Sequence, residues 1–280
     1  MKQIVDTHAH IYHPDETRYP KIADPLRPPQ GTGDVEHLRR EMVAAGVSRA
    51  VVVQTGTAYR WDNRLLADTA RAHADWAAGV CTLDPAAAQS VDELERLAAG
   101  YNVRGLRMEP TRTPDPVFDH PGARRLWVAA RRLGIVICAH IRSPFVGQLA
   151  ALLSAYPDVP VVLDHAAYPR AAEGVDSETV VQVADLARFP NLHVKLTFAV
   201  TGSDEGYPFR DIHPILLRLI EAFGPERCMW GSDFPCELWL QGKATYQSHL
   251  SLFTEALGLS ESEQRAILES TPLRVWFSST

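Results

Sequence analysis

Near the start of the chain, Asp6-Thr7-His8-Ala9-His10 places two imidazoles two residues apart. At the two-residue period of an extended strand they share a face, with Asp6 on the same parity. Later, His140, the Asp164-His165 pair and the Trp230-Gly231-Ser232-Asp233 segment each follow a short apolar run. Imidazole nitrogens and carboxylate oxygens are the donors that Zn²⁺ and Mn²⁺ accept. His8, His10, His140 and Asp233 together suit one divalent ion with an open coordination position. Singly, each has an ordinary reading: a His-x-His pair arises by chance in strands, and a lone His140 or His165 is commonly a hydrogen-bonded core residue. Their joint occurrence at the ends of separately assigned strands carries the functional reading.

The elements that must hold these residues alternate. Short β-branched runs at 3–7, 50–54, 77–83, 103–108, 135–139, 160–164, 192–197 and 227–231 read as strands. Stretches with helical apolar spacing at 35–45, 63–73, 91–99, 121–133, 146–155, 179–188, 212–222 and 246–257 follow them in turn. Asp34, Asp62 and Ser90 are candidate caps, and Gly46, Gly100, Gly134, Gly224 and Gly258 are candidate stops. Strict alternation implies parallel strands, and eight units imply a single-domain (β/α)8 TIM barrel occupying residues 1–280. Residues 12–33, with five of the 20 prolines, read as a loop over the barrel mouth, and 260–277 as a C-terminal helical extension. Chemistry in such a barrel gathers at the carboxyl ends of the strands, where the candidate ligands fall.

Composition narrows the function classes. With 280 residues, 46% hydrophobic and 22% charged, the chain can build a large core. Its 28 Lys plus Arg against 34 Asp plus Glu give a net charge of -6, which leaves no field for a phosphate backbone and argues against nucleic acid. No apolar stretch approaches the ~18 residues of a membrane span. The start runs directly into a strand, and the four cysteines form no Cys-x-x-Cys pair, so a reducing cytoplasm is expected. A homo-oligomer is left open. No Gly-x-Ser-x-Gly elbow, P-loop or dinucleotide fingerprint occurs.

The segments VDTHAHIY (5–12), VVLDHAAYP (161–169), VKLTF (194–198) and RCMWGSDFP (227–235) resemble the amidohydrolase superfamily, in its amidohydrolase-related branch of lactonases and decarboxylases. The resemblance implies that His8, His10 and His140 are ligands, that His165 lies near the substrate, and that Asp233 touches metal and water. It departs from the two-metal members at the fourth strand, which ends Leu106-Arg107-Met108-Glu109-Pro110 without a bridging lysine. In some members that bridge is a glutamate, so Glu109 is a candidate for it; a mononuclear site is the simpler reading, with Zn²⁺ or Mn²⁺ as the ion and a metal-free mechanism as the alternative. The expected activity is hydrolysis of a small polar lactone, with Asp233 as proton acceptor and His165 at the developing oxyanion. A non-oxidative decarboxylase on the same scaffold is the competing class, and a non-catalytic binding barrel the third. Arg107 and Arg142 are candidate carboxylate anchors, and Tyr59, Arg60 and Trp239 candidate pocket residues. Asp6, Asp164 and Lys195 are expected to act as supporting hydrogen-bond partners.

Overall fold

The computed structural model describes residues 3–239 and 242–278. Eight strands, β1 (Ile4–Ala9), β2 (Val47–Val53), β3 (Ala77–Thr82), β4 (Val103–Met108), β5 (Val136–Ala139), β6 (Val161–Leu163), β7 (Leu192–Lys195) and β8 (Cys228–Met229), pair in parallel in sequence order. The last returns to the first: Thr7 N–H donates to the Trp230 carbonyl at 3.2 Å, and His10 N–H to the Phe234 carbonyl at 2.7 Å. With helices between the strands, this is the (β/α)8 barrel.

Helices expected at 121–133 and 146–155 occur as Pro121–Leu133 and Val146–Ala155. The first of them stops at Gly134, whose φ of 65° is the left-handed conformation that glycine adopts without strain. Asp34 caps Val35–Ala44 by accepting the His37 N–H. Asp62 is not the cap of the next helix: Arg64–Ala72 begins behind Asn63, whose amide instead ties Trp61 to Thr82. Gly100 closes the helix Ser90–Gly100 from inside it. The sixth and eighth strands are shorter than expected because the chain turns away at Asp164 and after Met229. Beyond Ser260, the expected closing turn is helical, with wide turns over Ala266–Ser270 and Leu273–Phe277.

Alternation along the strands builds the barrel interior. Val51, Val53, Val80, Val136, Cys138, Val162 and Met229 form one buried cluster inside, with Trp276 under them. The residues between them, such as Ala50, Val52, Ile137 and Val161, pack outward under the helices. Two further residues along, the inward parity continues as Arg107, His140, Asp164, Thr197 and Gly231. The mouth is thus the uppermost layer of the interior, polar where the lower layer is apolar. The 12–33 loop is tied at its ends by Tyr12 N–H to the Gly33 carbonyl at 2.8 Å, and Ile22 reaches the mouth cavity. Among the described residues no helix is long and apolar enough to cross a membrane.

Candidate active site

His8 and His10 rise from the end of β1 with their Nε2 atoms 3.3 Å apart, and Asp233 Oδ1 stands 3.6 Å from each. His10 Nδ1 lies 2.9 Å from the Val53 carbonyl. A carbonyl only accepts, so Nδ1 carries a ring hydrogen, and in the neutral ring Nε2 is the nitrogen available to a metal. Around an ion with bonds of ~2.0–2.1 Å, tetrahedral donors sit about 3.3–3.4 Å apart. The three atoms have nearly that spacing and suit a divalent metal in donor type.

Asp233 is held by backbone. Its N–H donates to the His8 carbonyl at 2.8 Å, and its φ of 56° is left-handed. Below it, buried Asp6 accepts from Ser232 N–H at 2.9 Å, Ser232 Oγ at 2.6 Å and Tyr246 Oη at 2.9 Å. Asp6 therefore locks the turn that aims Asp233. Gly231 lets strands 8 and 1 approach: a Cβ there would lie 2.7 Å from both His8 Cβ and Thr197 Cγ2. Burial alone would raise the Asp233 carboxyl, but His165, His10 and His8 outweigh it and hold it well below the ordinary range.

Beneath His8 lies a fully buried ionic layer. Lys195 Nζ is 3.0 Å from Asp164 Oδ1 and 3.3 Å from His8 Nδ1; Arg107 Nε is 3.1 Å from Asp164 Oδ2. The two contacts to Asp164 are ion pairs rather than aligned hydrogen bonds. Against the cost of burial, Lys195 first and then His8 and Arg107 hold the Asp164 carboxyl well below its usual value.

His165 breaks the strand parity. It enters the mouth because His165, Ala166, Ala167 and Tyr168 all have positive φ, a left-handed turn that carries both rings inward. His165 Nδ1 meets Thr197 Oγ1 at 2.8 Å, its ring stacks on Tyr168 at 4.5 Å, and burial takes its pKa down to about 3. His140 stands apart from the His8–His10–Asp233 group. Its Nδ1 is 2.9 Å from Glu109 Oε1 and its Nε2 2.5 Å from Tyr168 Oη, so neither nitrogen is free as a fourth ligand in this arrangement. Burial would raise Glu109, yet His140 and the neighbouring arginines bring it down to about 2.

A cavity of about 530 Å³ opens beside this group, with Arg60, Arg107, Arg112 and Arg142 in its wall. Arg107 faces Asp164, and Arg112 pairs with Glu109 at 2.9 Å. Arg142 lies over the Tyr168 ring at 4.7 Å, and the buried Nε of Arg60 has no hydrogen-bond partner among the described residues. Tyr59 and Trp239 are not among the described residues lining this cavity. Tyr59 Oη accepts the His13 N–H at 2.9 Å, and Trp239 packs edge-on to Tyr12. Sequence reading missed Tyr168, Thr197 and Arg112; the alternation of β7 was the available signal for Thr197.

The chain is similar to an L-fucono-1,5-lactonase of Burkholderia ambifaria, 28% identical over 235 residues that cover 82% of this chain and 80% of the relative. It is similar to a 4-sulfomuconolactone hydrolase of Hydrogenophaga intermedia, 26% identical over 97% of this chain and 88% of the relative. Its fold matches the crystal structure of an amidohydrolase from Burkholderia multivorans with bound Zn, with a TM-score of 0.77, 25% identity, and coverage of 98% of this chain and 99% of that one. The model of the amidohydrolase family matches residues 5–277, and by that match along nearly its whole length the chain belongs to the amidohydrolase family.

Proposed function

We propose that this chain opens a small polar lactone by adding water to the ring carbonyl. The observation that carries the reading is the convergence of His8 Nε2, His10 Nε2 and Asp233 Oδ1 at the mouth, beside a cavity walled by guanidinium groups. The lactone-opening names of two similar proteins support it. His8, His10 and Asp233 would hold one Zn²⁺ or Mn²⁺, with His140 joining only by giving up Tyr168. Such an ion lowers the pKa of a coordinated water from ~15.7 to about 7 and so supplies a nucleophile at neutral pH.

The protein's own groups do the rest. Asp233, ionised at neutral pH, orients the attacking water and accepts its proton. His165 is neutral there and acts as a hydrogen-bond partner of the carbonyl oxygen, with Thr197 fixing its ring. When the ring C–O bond breaks, its electron pair stays on the ring oxygen, which takes the proton back from Asp233. Arg60 and Arg142 offer donors to substrate oxygens, while Arg107 is already engaged by Asp164.

The test is a pH-indicator assay on sugar-acid and muconate lactones with protein of measured metal content. Ring opening that falls ~10²–10⁴-fold in Asp233→Asn, with the fold kept, is the expected result. Carbon dioxide release without ring opening would replace the lactonase with the decarboxylase. Full activity in chelator at negligible metal content would leave Asp233 as the base and remove the ion.

A further inference from the structure

The hydrogen-bonded row Glu109–His140–Tyr168 stands outside the His8–His10–Asp233 group, yet it faces the same cavity. Its hydrogens can be placed by elimination. Glu109 accepts from Arg112 through Oε2 at 2.9 Å, and its Oε1 is 2.9 Å from His140 Nδ1. A carboxylate only accepts, so His140 Nδ1 carries the ring hydrogen. Nε2 is then a bare lone pair, and the Tyr168 hydroxyl donates to it. The phenol has one hydrogen, and it is committed to His140. Whatever approaches Tyr168 from the cavity meets an oxygen that can only accept. The nearby Arg60 and Arg142 guanidinium groups can only donate.

A second observation concerns the backbone. Four consecutive non-glycine residues, His165 to Tyr168, have φ of 54°, 47°, 61° and 65°. Left-handed backbone costs roughly 1–2 kcal/mol per residue and persists where its surroundings over-determine it, commonly at ligand sites. Here it sets the Tyr168 ring parallel to His165, within 19°, and beneath Arg142. His165 in turn lies against His8, with ring centroids 4.7 Å apart. Tyr168 thus packs on the ring of His165, which itself packs on His8.

We propose that Tyr168 is a specificity-determining residue whose oxygen accepts a hydrogen bond from a substrate hydroxyl, so that the site takes a polyhydroxylated lactone over the same ring with that hydroxyl removed or methylated. The inference rests on the lactone-opening reading. Glu109 and His140 act through Tyr168 by fixing the direction of its hydrogen.

The experiment uses a hexono-1,5-lactone with its monodeoxy and mono-O-methyl derivatives, read as kcat/KM, and the corresponding ring-opened acids, read as Kd by calorimetry. The parent should be preferred over one derivative pair by roughly 10- to 100-fold, the worth of a hydrogen bond whose acceptor is left unpaired once the substrate covers it. Tyr168→Phe should bring that ratio to within about threefold while keeping the wild-type circular dichroism. Glu109→Gln probes direction. Arg112 would hold the amide oxygen, the amide N–H would face His140 Nδ1, and the ring hydrogen would move to Nε2. Tyr168 would then donate into the cavity, and preference should move toward the O-methyl derivative. An unchanged ratio for every derivative in Tyr168→Phe overturns the proposal and leaves the lactone reading standing. A wild type that opens no lactone overturns that reading, and the Kd ratios of the acids then decide Tyr168; absence of binding as well overturns both.

Discussion

Replacing Lys195 by Met tests whether the buried ionic layer supports the site. The thioether fills nearly the same space but removes the charge 3.0 Å from Asp164 Oδ1 and the contact 3.3 Å from His8 Nδ1. Stripping one partner from a fully buried pair costs ~3–5 kcal/mol, because the other charge is left uncompensated. Arg107 still faces Asp164 Oδ2 at 3.1 Å and compensates part of the charge, so a smaller cost of about 2–4 kcal/mol is expected. For a domain of this size ~1 kcal/mol moves Tm by about 2 °C, which gives a fall of roughly 4–8 °C. The sign with pH follows from Asp164. In the wild type its carboxyl is held well below the unfolded value, so its contribution is present above that value and is lost as pH falls through the folded one. Without Lys195 the folded pKa rises, and the deficit of the variant should narrow as pH falls from that raised value toward the wild-type one. Thermal unfolding in chelator measures the fold alone, and a metal titration measures the site. Loss of a group that orients a ligand costs ~10–100-fold in metal affinity. A variant within 1 °C of wild type would refute the reasoning.

Other expectations are as direct. Gly231→Ala should cost about 1–3 kcal/mol by overpacking and displace His8, because the added Cβ meets His8 Cβ and Thr197 Cγ2 at 2.7 Å; urea unfolding and activity together check it. Buried His249, with its pKa taken down to about 4 by burial, and His165, at about 3, stay neutral in the fold while the unfolded chain protonates near 6.5. The unfolded state then binds more protons, so stability should fall as pH drops from 6.5 toward 4, and a flat urea midpoint over that window would contradict it. Arg142→Met should raise KM for an acidic lactone more than for its neutral analogue, whereas Arg107→Met should chiefly lower Tm, since Arg107 is engaged by Asp164.

The alternation of residue types exposed the barrel and much of its mouth. His8 and His10 share a strand face, and His140 and Asp164 follow Cys138 and Val162 at the same parity, so their place in the upper layer was readable from spacing. Residues reached by non-repeating backbone were not. Nothing in His-Ala-Ala-Tyr announces a left-handed turn, which in other sequences is marked by glycine or asparagine, so Tyr168 went unseen. That turn also hid the second partner of His140 and with it the reason this imidazole stands outside the three-atom group. Arg107 looked like a free anchor because its partner, Asp164, comes from a strand two places along the sheet, a pairing that only the closed barrel creates.

Trp276 has a consequence for the order in which the barrel becomes watertight. Its indole lies so close beneath β4 that a Cβ on Gly105 would come within 2.9 Å of it, and Lys195 Nζ stands 5.4 Å from its ring centroid. The floor is therefore supplied by a residue that follows all eight strands in the chain. With all eight strands paired but Trp276 undocked, Lys195 lacks that ring, and the Lys195–Asp164 layer is closed below by the apolar side chains of the strands alone. The last cover over those charges comes with the final helix, which links the electrostatics under the active site to a segment on the opposite side of the molecule.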